Sequence, residues 1–434
     1  MAVTYTLKTE NFQEASLLLI KRGIWLYLFL LIFEGALRKW FLPGLADPLL
    51  LIRDPLAIYL LFKSFQKNLW YPGSYEKIMW GLTILAFITT LLVGHGNLTV
   101  AVFGLRITLV HFPLIFLIGS LLEKSDVIEI GKILLWINIA MTVLVAIQFY
   151  SPQSAWVNHG VGGNLEGSGF SGAAGFYRVP GTFSFTNGLA LFYGLAAAYI
   201  FYFWLEGEKI QVSKLLLIGS TLALLAAIPL SISRTVLFQV ILSFIFFMLI
   251  SSRDFNFIKR FFGAGLIVIL SFVFLSGLSF IDTATMAFSE RFTQASAAEG
   301  GLEGTLIDRF LGGMYGAVVD GESSFWGAGI GMGSQVASKI LTGESGVYLI
   351  SEGEWGRLIG EMGFLVGFMV VLLRVSLVFQ LFKKAWFAIS RMNYLPWMLL
   401  SFTIINILQG QWSQPTSLGF SVIAAGLTIA SFKE

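Results

Sequence analysis

The chain has no cysteine, which excludes disulfides, thiolate metal sites and a cysteine nucleophile. Charge is scarce as well. Only 12% of residues are Asp, Glu, Lys or Arg, against roughly 25% in soluble domains. Three histidines occur, His95, His111 and His159; they are scattered, with no metal-ligand spacing, and neither a metal nor another cofactor is expected. There is no internal repeat and no low-complexity segment. No small-residue cleavage site follows the first apolar run, so it reads as an uncleaved span preceded by Lys21 and Arg22. The net charge of +3 says little by itself, because in a membrane protein the placement of charge matters more than its sum. No nucleic-acid partner is expected.

What is abundant is apolar sequence: 56% of residues, with a mean hydropathy of +0.80. The 434 residues leave room for about a dozen spans of roughly 20 residues each. Apolar runs predict spans near 23–38, 48–62, 77–94, 98–121, 127–150, 183–205, 213–232, 235–251, 260–280, 357–382, 395–410 and 415–432. The fold class expected is therefore an all-α polytopic membrane protein of about twelve helices, one integral membrane domain over residues 1–434. With both termini cytoplasmic, the even-numbered connections fall inside, and all of them contain Lys or Arg, as the positive-inside rule requires. Two outward connections are long, at about 151–182 and 281–356. The second forms a cap loop, and within it "GTLIDRFLGGMYGAVVD" has Leu306, Phe310 and Met314 at helical spacing, which predicts a short helix on the membrane surface.

Lysine and arginine are not shared evenly between the two sides. Of the 28 basic residues, this topology puts thirteen lysines and four arginines inside. Two lysines and nine arginines fall outside or within spans. Lysine suffices to set topology, whereas arginine is preferred where a planar fork must grip phosphate or carboxylate. Arg38, Arg53, Arg106, Arg178, Arg234 and Arg357 all lie at outer span ends, while Arg374 is expected to snorkel to the cytoplasmic interface. Local pairs account for some of them: Glu34 and Arg38 stand at i, i+4, and Arg53 adjoins Asp54. Arg178 and Arg234 have no acidic residue within four positions. A charge inside a membrane domain is costly unless it faces a cavity or a partner, so these two are expected to face a polar, outward-opening cavity, with Pro180 and Gly181 fixing the approach of Arg178.

A third cluster, Glu352, Glu354, Arg357 and Glu361, leads into the tenth span. Arg357 and Glu361 form another i, i+4 pair. Glu352 and Glu354 precede the span, where a carboxylate in a partly dry site suits a general base, or else remains a solvated loop acid. "GAGIGMGS" (327–334) fits a GxGxxG pattern, but no strand precedes it and no P-loop Lys-Ser/Thr follows, so nucleotide binding is not expected. "DGE" (320–322) is too short a motif to indicate a metal.

On these residues the chain resembles the O-antigen ligase and polymerase superfamily, bacterial membrane glycosyltransferases that use undecaprenyl-diphosphate-linked sugars. The family pattern of Arg, Gly at +3, an aromatic at +5, Asn at +9 and Ala at +12 is met by Arg178, Gly181, Phe183, Asn187 and Ala190. Ser233–Arg234 matches its Ser-Arg turn between spans, and Glu361–Met362–Gly363 its Glu-x-Gly after a large outer loop. The proline that often precedes the Asn is Thr186 here. The histidine that ligases often carry about nine residues before that Glu is Glu352 here.

The resemblance implies inverting, metal-independent transfer of a lipid-diphosphate-linked glycan to an acceptor sugar hydroxyl at the outer face of the bacterial cytoplasmic membrane, in surface polysaccharide synthesis. Polymerase-type transfer is expected, with ligase-type transfer to a lipid or protein acceptor as the alternative. Arg178, Arg234 and Arg357 would hold the diphosphate, Glu352 or Glu354 would act as base, and Gly181, Asn187, Ser233 and Glu361 would support them. Membrane lipids and other polysaccharide-assembly proteins are the further partners this implies. A non-enzymatic transporter or flippase of an anionic lipid or glycan accounts equally well for outward arginines and less well for the long acidic loop, because transporters commonly show two similar halves.

Overall fold

The computed structural model describes residues 2–251, 279–299, 325–343, 349–351 and 353–433. The span expected at 260–280, except its last two residues, lies outside the described residues, as do the surface helix expected at 304–320, the DGE motif and Glu352. The protein is mostly helical; the described residues contain one antiparallel hairpin, β1 (Phe170–Ala173) and β2 (Phe176–Arg178). Among the described residues, six helices are long and apolar enough to cross a membrane: Gln13–Phe41, Ser74–Leu92, Leu98–Leu121, Lys124–Tyr150, Thr186–Gly207 and Glu354–Ser390. Shorter apolar helices, Lys214–Leu230, Arg234–Ile250, Leu395–Gln409 and Pro415–Ala430, stand where four further spans are expected. The run at 48–62 is divided into Ala46–Leu50 and Arg53–Gln66.

The helix Thr186–Ile210 is the centre of the bundle. It is apolar all round, and 89% of its membrane window is buried, against 33% for Gln13–Phe41 at the periphery. Helices with no polar face are found where protein surrounds them. Pro415–Ala430 and Leu395–Gln409 pack against it and against each other. Small residues permit the closest crossings: Gly119 and Gly426 let Phe112–Leu121 and Pro415–Ala430 meet, and Gly131 takes the Tyr199 ring.

Three irregularities place the charged residues. The first helix ends in a π-helical turn, Leu37–Phe41, in which Arg38 and Lys39 are buried. A second π-helical turn, Ile107–His111, interrupts the span expected at 98–121 and buries His111. The third is at Gly363. The tenth expected span is not one continuous helix from 357, because Gly363 (φ 78°, ψ 165°) breaks Glu354–Ser390. Only glycine adopts that conformation readily, and a Cβ there would lie 2.2 Å from the Phe325 carbonyl oxygen. Glu354 and Arg374, 20 residues apart, are hydrogen-bonded across the break, whereas a straight helix would separate them by about 30 Å. The segment before Gly363 therefore doubles back along the helix that follows. The cap region also contains regular structure, since Ser279–Glu299 is a 21-residue helix.

Candidate functional site

Arg178 ends β2, paired in register with Phe170. Its Nε donates to the Ser171 carbonyl oxygen (3.1 Å) and its guanidinium lies 4.7 Å from the centre of the Phe170 ring. Partial burial, and then the positive charges of Arg291 and Arg234, push its pKa below the ordinary arginine value. Two further cations thus act on Arg178 at the hairpin. Arg234 opens its helix two residues after Ile232, a β-branched residue at φ 47° that is buried against Gly172 of β1. Such a residue at positive φ is strained and is held there only by its surroundings. Arg291 is carried on Ser279–Glu299, which packs on β1 and whose Phe292 meets Phe238, one turn after Arg234 (ring centroids 6.5 Å). Arg291 falls within the long outer connection at 281–356, and with Glu290 beside it nothing local in the sequence marks it.

The turn that follows Arg178 is tied down on both sides. Gly181 has φ 61°, and a Cβ there would meet Met141 Sδ at 2.7 Å. Its N–H donates to Gln148 Oε1 (2.9 Å), and its carbonyl oxygen accepts from Gln148 Nε2 (3.2 Å) and Lys39 Nζ (2.6 Å). Thr182 Oγ1 donates to the Ile32 carbonyl oxygen, and Arg38 Nη1 to Ser184 Oγ. Asn187 Nδ2, in the first turn of the central helix, donates to Ser417 Oγ (3.0 Å) and Gln414 Oε1 (3.4 Å). Asn187 and Gly181 therefore hold the scaffold. Ser233 is half-buried beside Arg234, and its carbonyl oxygen accepts from the Leu237 N–H.

Glu354 and Arg357 stand elsewhere in the bonding pattern. The Glu354 carboxylate is fully buried and accepts from Arg357 Nε (2.9 Å) and Nη2 (2.8 Å), from Arg374 Nη1 (2.7 Å) and from the Trp412 N–H (3.2 Å). Arg357 also donates to Glu361, whose other oxygen accepts from the Gly333 N–H (2.7 Å). Arg374 does not snorkel to an interface: it is 1% exposed and lies 3.5 Å from the centre of the Trp412 ring. Two assignments change as a result. Glu354 is an acceptor filled by two guanidinium groups and the Trp412 N–H, which leaves it no access to an acceptor hydroxyl. Arg357 is spent on two carboxylates, so it is not a free clamp for phosphate. The i, i+4 pairing expected of Arg357 and Glu361 is present.

The pairings expected near the first span are partly rearranged. Arg38 pairs with Glu34 (3.6 Å), but Arg53 turns to Glu34 (3.1 Å) rather than to Asp54. Asp54 accepts from Arg106 (3.1 Å) and bonds His111 Nε2 (2.8 Å), whose Nδ1 meets the Tyr27 hydroxyl (3.0 Å). The glycine-rich stretch 327–334 is a packing element. His95 N donates to the Ala328 carbonyl oxygen, Ile330 N to Thr90 Oγ1, and Gly329 N to the Glu361 carbonyl oxygen. No group of three or more His, Asp or Glu disposed to hold a metal occurs among the described residues. In comparisons with known proteins, no family model, no curated protein and no solved structure matches the chain.

Proposed function

We propose that the protein transfers a lipid-diphosphate-linked glycan to a sugar hydroxyl, as a polymerase-type membrane glycosyltransferase. The topology behind this reading has twelve crossings, both termini in the cytoplasm and the Arg178 hairpin on the outer side of a bacterial cytoplasmic membrane. The feature that carries it is the placement of Arg234 and Arg291 at the Arg178 hairpin, on the two helices packed beside it, near enough for their charges to act on Arg178. Arginines gathered against their own electrostatics suit a multivalent anion, and the planar fork suits phosphate oxygens. Arg291 takes the place in the clamp first expected of Arg357.

In the reaction, an acceptor hydroxyl oxygen forms a bond to the anomeric carbon and gives up its proton to a carboxylate. The bond from that carbon to the diphosphate oxygen breaks, and its electron pair leaves on the lipid diphosphate. The three guanidinium groups stabilise that charge without reorganising. With Glu354 filled by arginines, Glu352 is the carboxylate proposed as base. Purified protein given a lipid-diphosphate oligosaccharide is expected to lengthen it. Arg178→Lys and Arg234→Lys are expected to lose about 10²–10³-fold in turnover, the typical cost of one oxyanion donor, because Lys keeps the charge and loses the fork. Undiminished lengthening by both variants overturns the clamp; no lengthening by wild-type protein overturns the reading.

A further inference from the structure

Beside the hairpin lies a surface in which the usual placement of charged and apolar groups is inverted. The π-helical turn Leu37–Phe41 and the 3₁₀ turns Pro43–Leu45, Trp156–Asn158 and Val161–Gly163 pack together. Trp40 stacks on Trp156 (ring centroids 5.4 Å), Phe41 meets the edge of the same ring (6.3 Å), and Gly163 rests on Pro43. Arg38 and Lys39, the only Lys or Arg in residues 37–45 and 155–165, are turned inward, to Ser184, the Ala46 carbonyl oxygen and the Gly181 carbonyl oxygen. Phe41, Leu42, Leu45, Trp156 and Leu165 face outward, each between 44% and 64% exposed.

We infer that this patch is a lipid-bedded skirt, seated in the interfacial layer of the bilayer. It continues the surface of Gln13–Phe41, a helix long and apolar enough to span, and it has the tryptophan-rich composition of interfacial belts. Its short irregular turns fix the depth. Their backbone groups need water or protein partners that the hydrocarbon layer does not supply, so the skirt rests among headgroups and upper acyl chains. Its seating reaches the hairpin through two amides: Asn158 donates to the carbonyl oxygens of Gln148, Ser151 and Pro152, and Gln148 holds Gly181. The depth of the skirt thereby sets the depth of Arg178.

The absence of cysteine makes the test direct. Phe41→Cys, Trp156→Cys and Leu165→Cys, each spin-labelled in the full chain in phosphatidylethanolamine–phosphatidylglycerol vesicles, are compared by collision with oxygen and with a water-soluble nickel chelate. Leu85→Cys, exposed on Ser74–Leu92, is the lipid control, and Lys209→Cys, largely exposed, is the water control. The expected oxygen-to-nickel ratio at two or more of the three sites lies nearer the lipid control. Ratios nearer the water control at two or more sites overturn the inference, and they are what a surface reserved for a glycan or a protein partner gives when the protein is alone in vesicles. Labels at Phe41 and Leu165 decide the matter even if replacing Trp156 loosens its turn.

Discussion

Two groups of arginines in this molecule are built on opposite principles. Around Glu354, two guanidinium groups and two carboxylates balance one another in a buried network. At the hairpin, Arg178 is surrounded by Arg234 and Arg291, and its pKa is pushed down by burial and by those like charges. The first arrangement sets each charge against an opposite one and is costly to disturb. The second gathers like charges around Arg178, and a multivalent anion of the kind proposed would offset them. The comparison separates arginines that hold the fold from arginines that the proposed function assigns to an anion, although Arg357 of the first set and Arg178 and Arg234 of the second alike stand at expected span ends in the sequence.

The largest effect is expected at the balanced network. Glu354→Gln leaves Arg374, buried and with Nε already unpartnered, facing a neutral amide. Removing one member of a buried pair typically costs about 3–5 kcal/mol, so the variant is expected to unfold at markedly lower temperature in detergent. Adding Arg374→Met removes the orphaned charge and is expected to restore part of the loss. A Glu354→Gln protein as stable as wild type would show that the network is not what holds the doubled-back segment. Next in size is Gly363→Ala, which places a side chain at positive φ and against the Phe325 carbonyl oxygen. Backbone strain of this kind costs about 1–3 kcal/mol. Combined with Glu354→Gln its cost should be less than additive, because the first change already loosens the contact that the second removes. Additive losses would mean that hinge and network act independently.

The sequence made visible what repeats or lies close by. Apolar runs marked the helices, and i, i+4 spacing marked Glu34–Arg38 and Arg357–Glu361. Pairings between elements left no such trace. Arg53 with Glu34, Arg106 with Asp54 and Arg374 with Glu354 are joined across 19 to 52 positions, and the nearest acid in sequence was the wrong partner for Arg53. Arg374 was misplaced because a continuous helix from 357 carries it to the far interface; one glycine reverses that path. Glu361–Met362–Gly363 could be quoted as a motif, but the reason for its glycine is the positive φ. Arg291 and Gln148 gave no local signal, since what matters about each is the element it meets.

Lys21 tests whether pairing alone, without deep burial, is enough to matter. Its Nζ lies 2.6 Å from Asp126 and 3.6 Å from Glu123, which is largely exposed. Lys21→Met leaves the capping box of Glu123 and Asp126 intact, so the variant reads the ion pair alone. Pairs near water contribute about 0–1 kcal/mol, and the small loss expected here should shrink further in molar salt. A loss as large as that of Glu354→Gln would erase the distinction drawn from burial.

The smallest effect on stability, and the one of opposite tendency, is expected at Arg178. A base whose pKa is lower in the folded than in the unfolded state binds its proton less tightly when folded. Its charge therefore opposes folding at every pH below the folded value, and that opposition is relieved only as pH rises through it. For Arg178 this covers the whole neutral range, since an arginine's ordinary value lies far above neutrality and its lowering is a shift from there. Arg178→Gln gives up one hydrogen bond to Ser171 and the contact with Phe170, and it gains relief from two cations. The melting temperature of the variant is expected to equal or exceed that of wild type, while transfer activity falls. Inorganic pyrophosphate should reverse the order, by stabilising wild type through an anion bound to the folded state and leaving the variant nearly unmoved. Thermal melts of both proteins with and without pyrophosphate read this out. If the variant melts well below wild type without any anion, Arg178 is a member of the fold like Arg374, and the contrast between the two arginine groups fails.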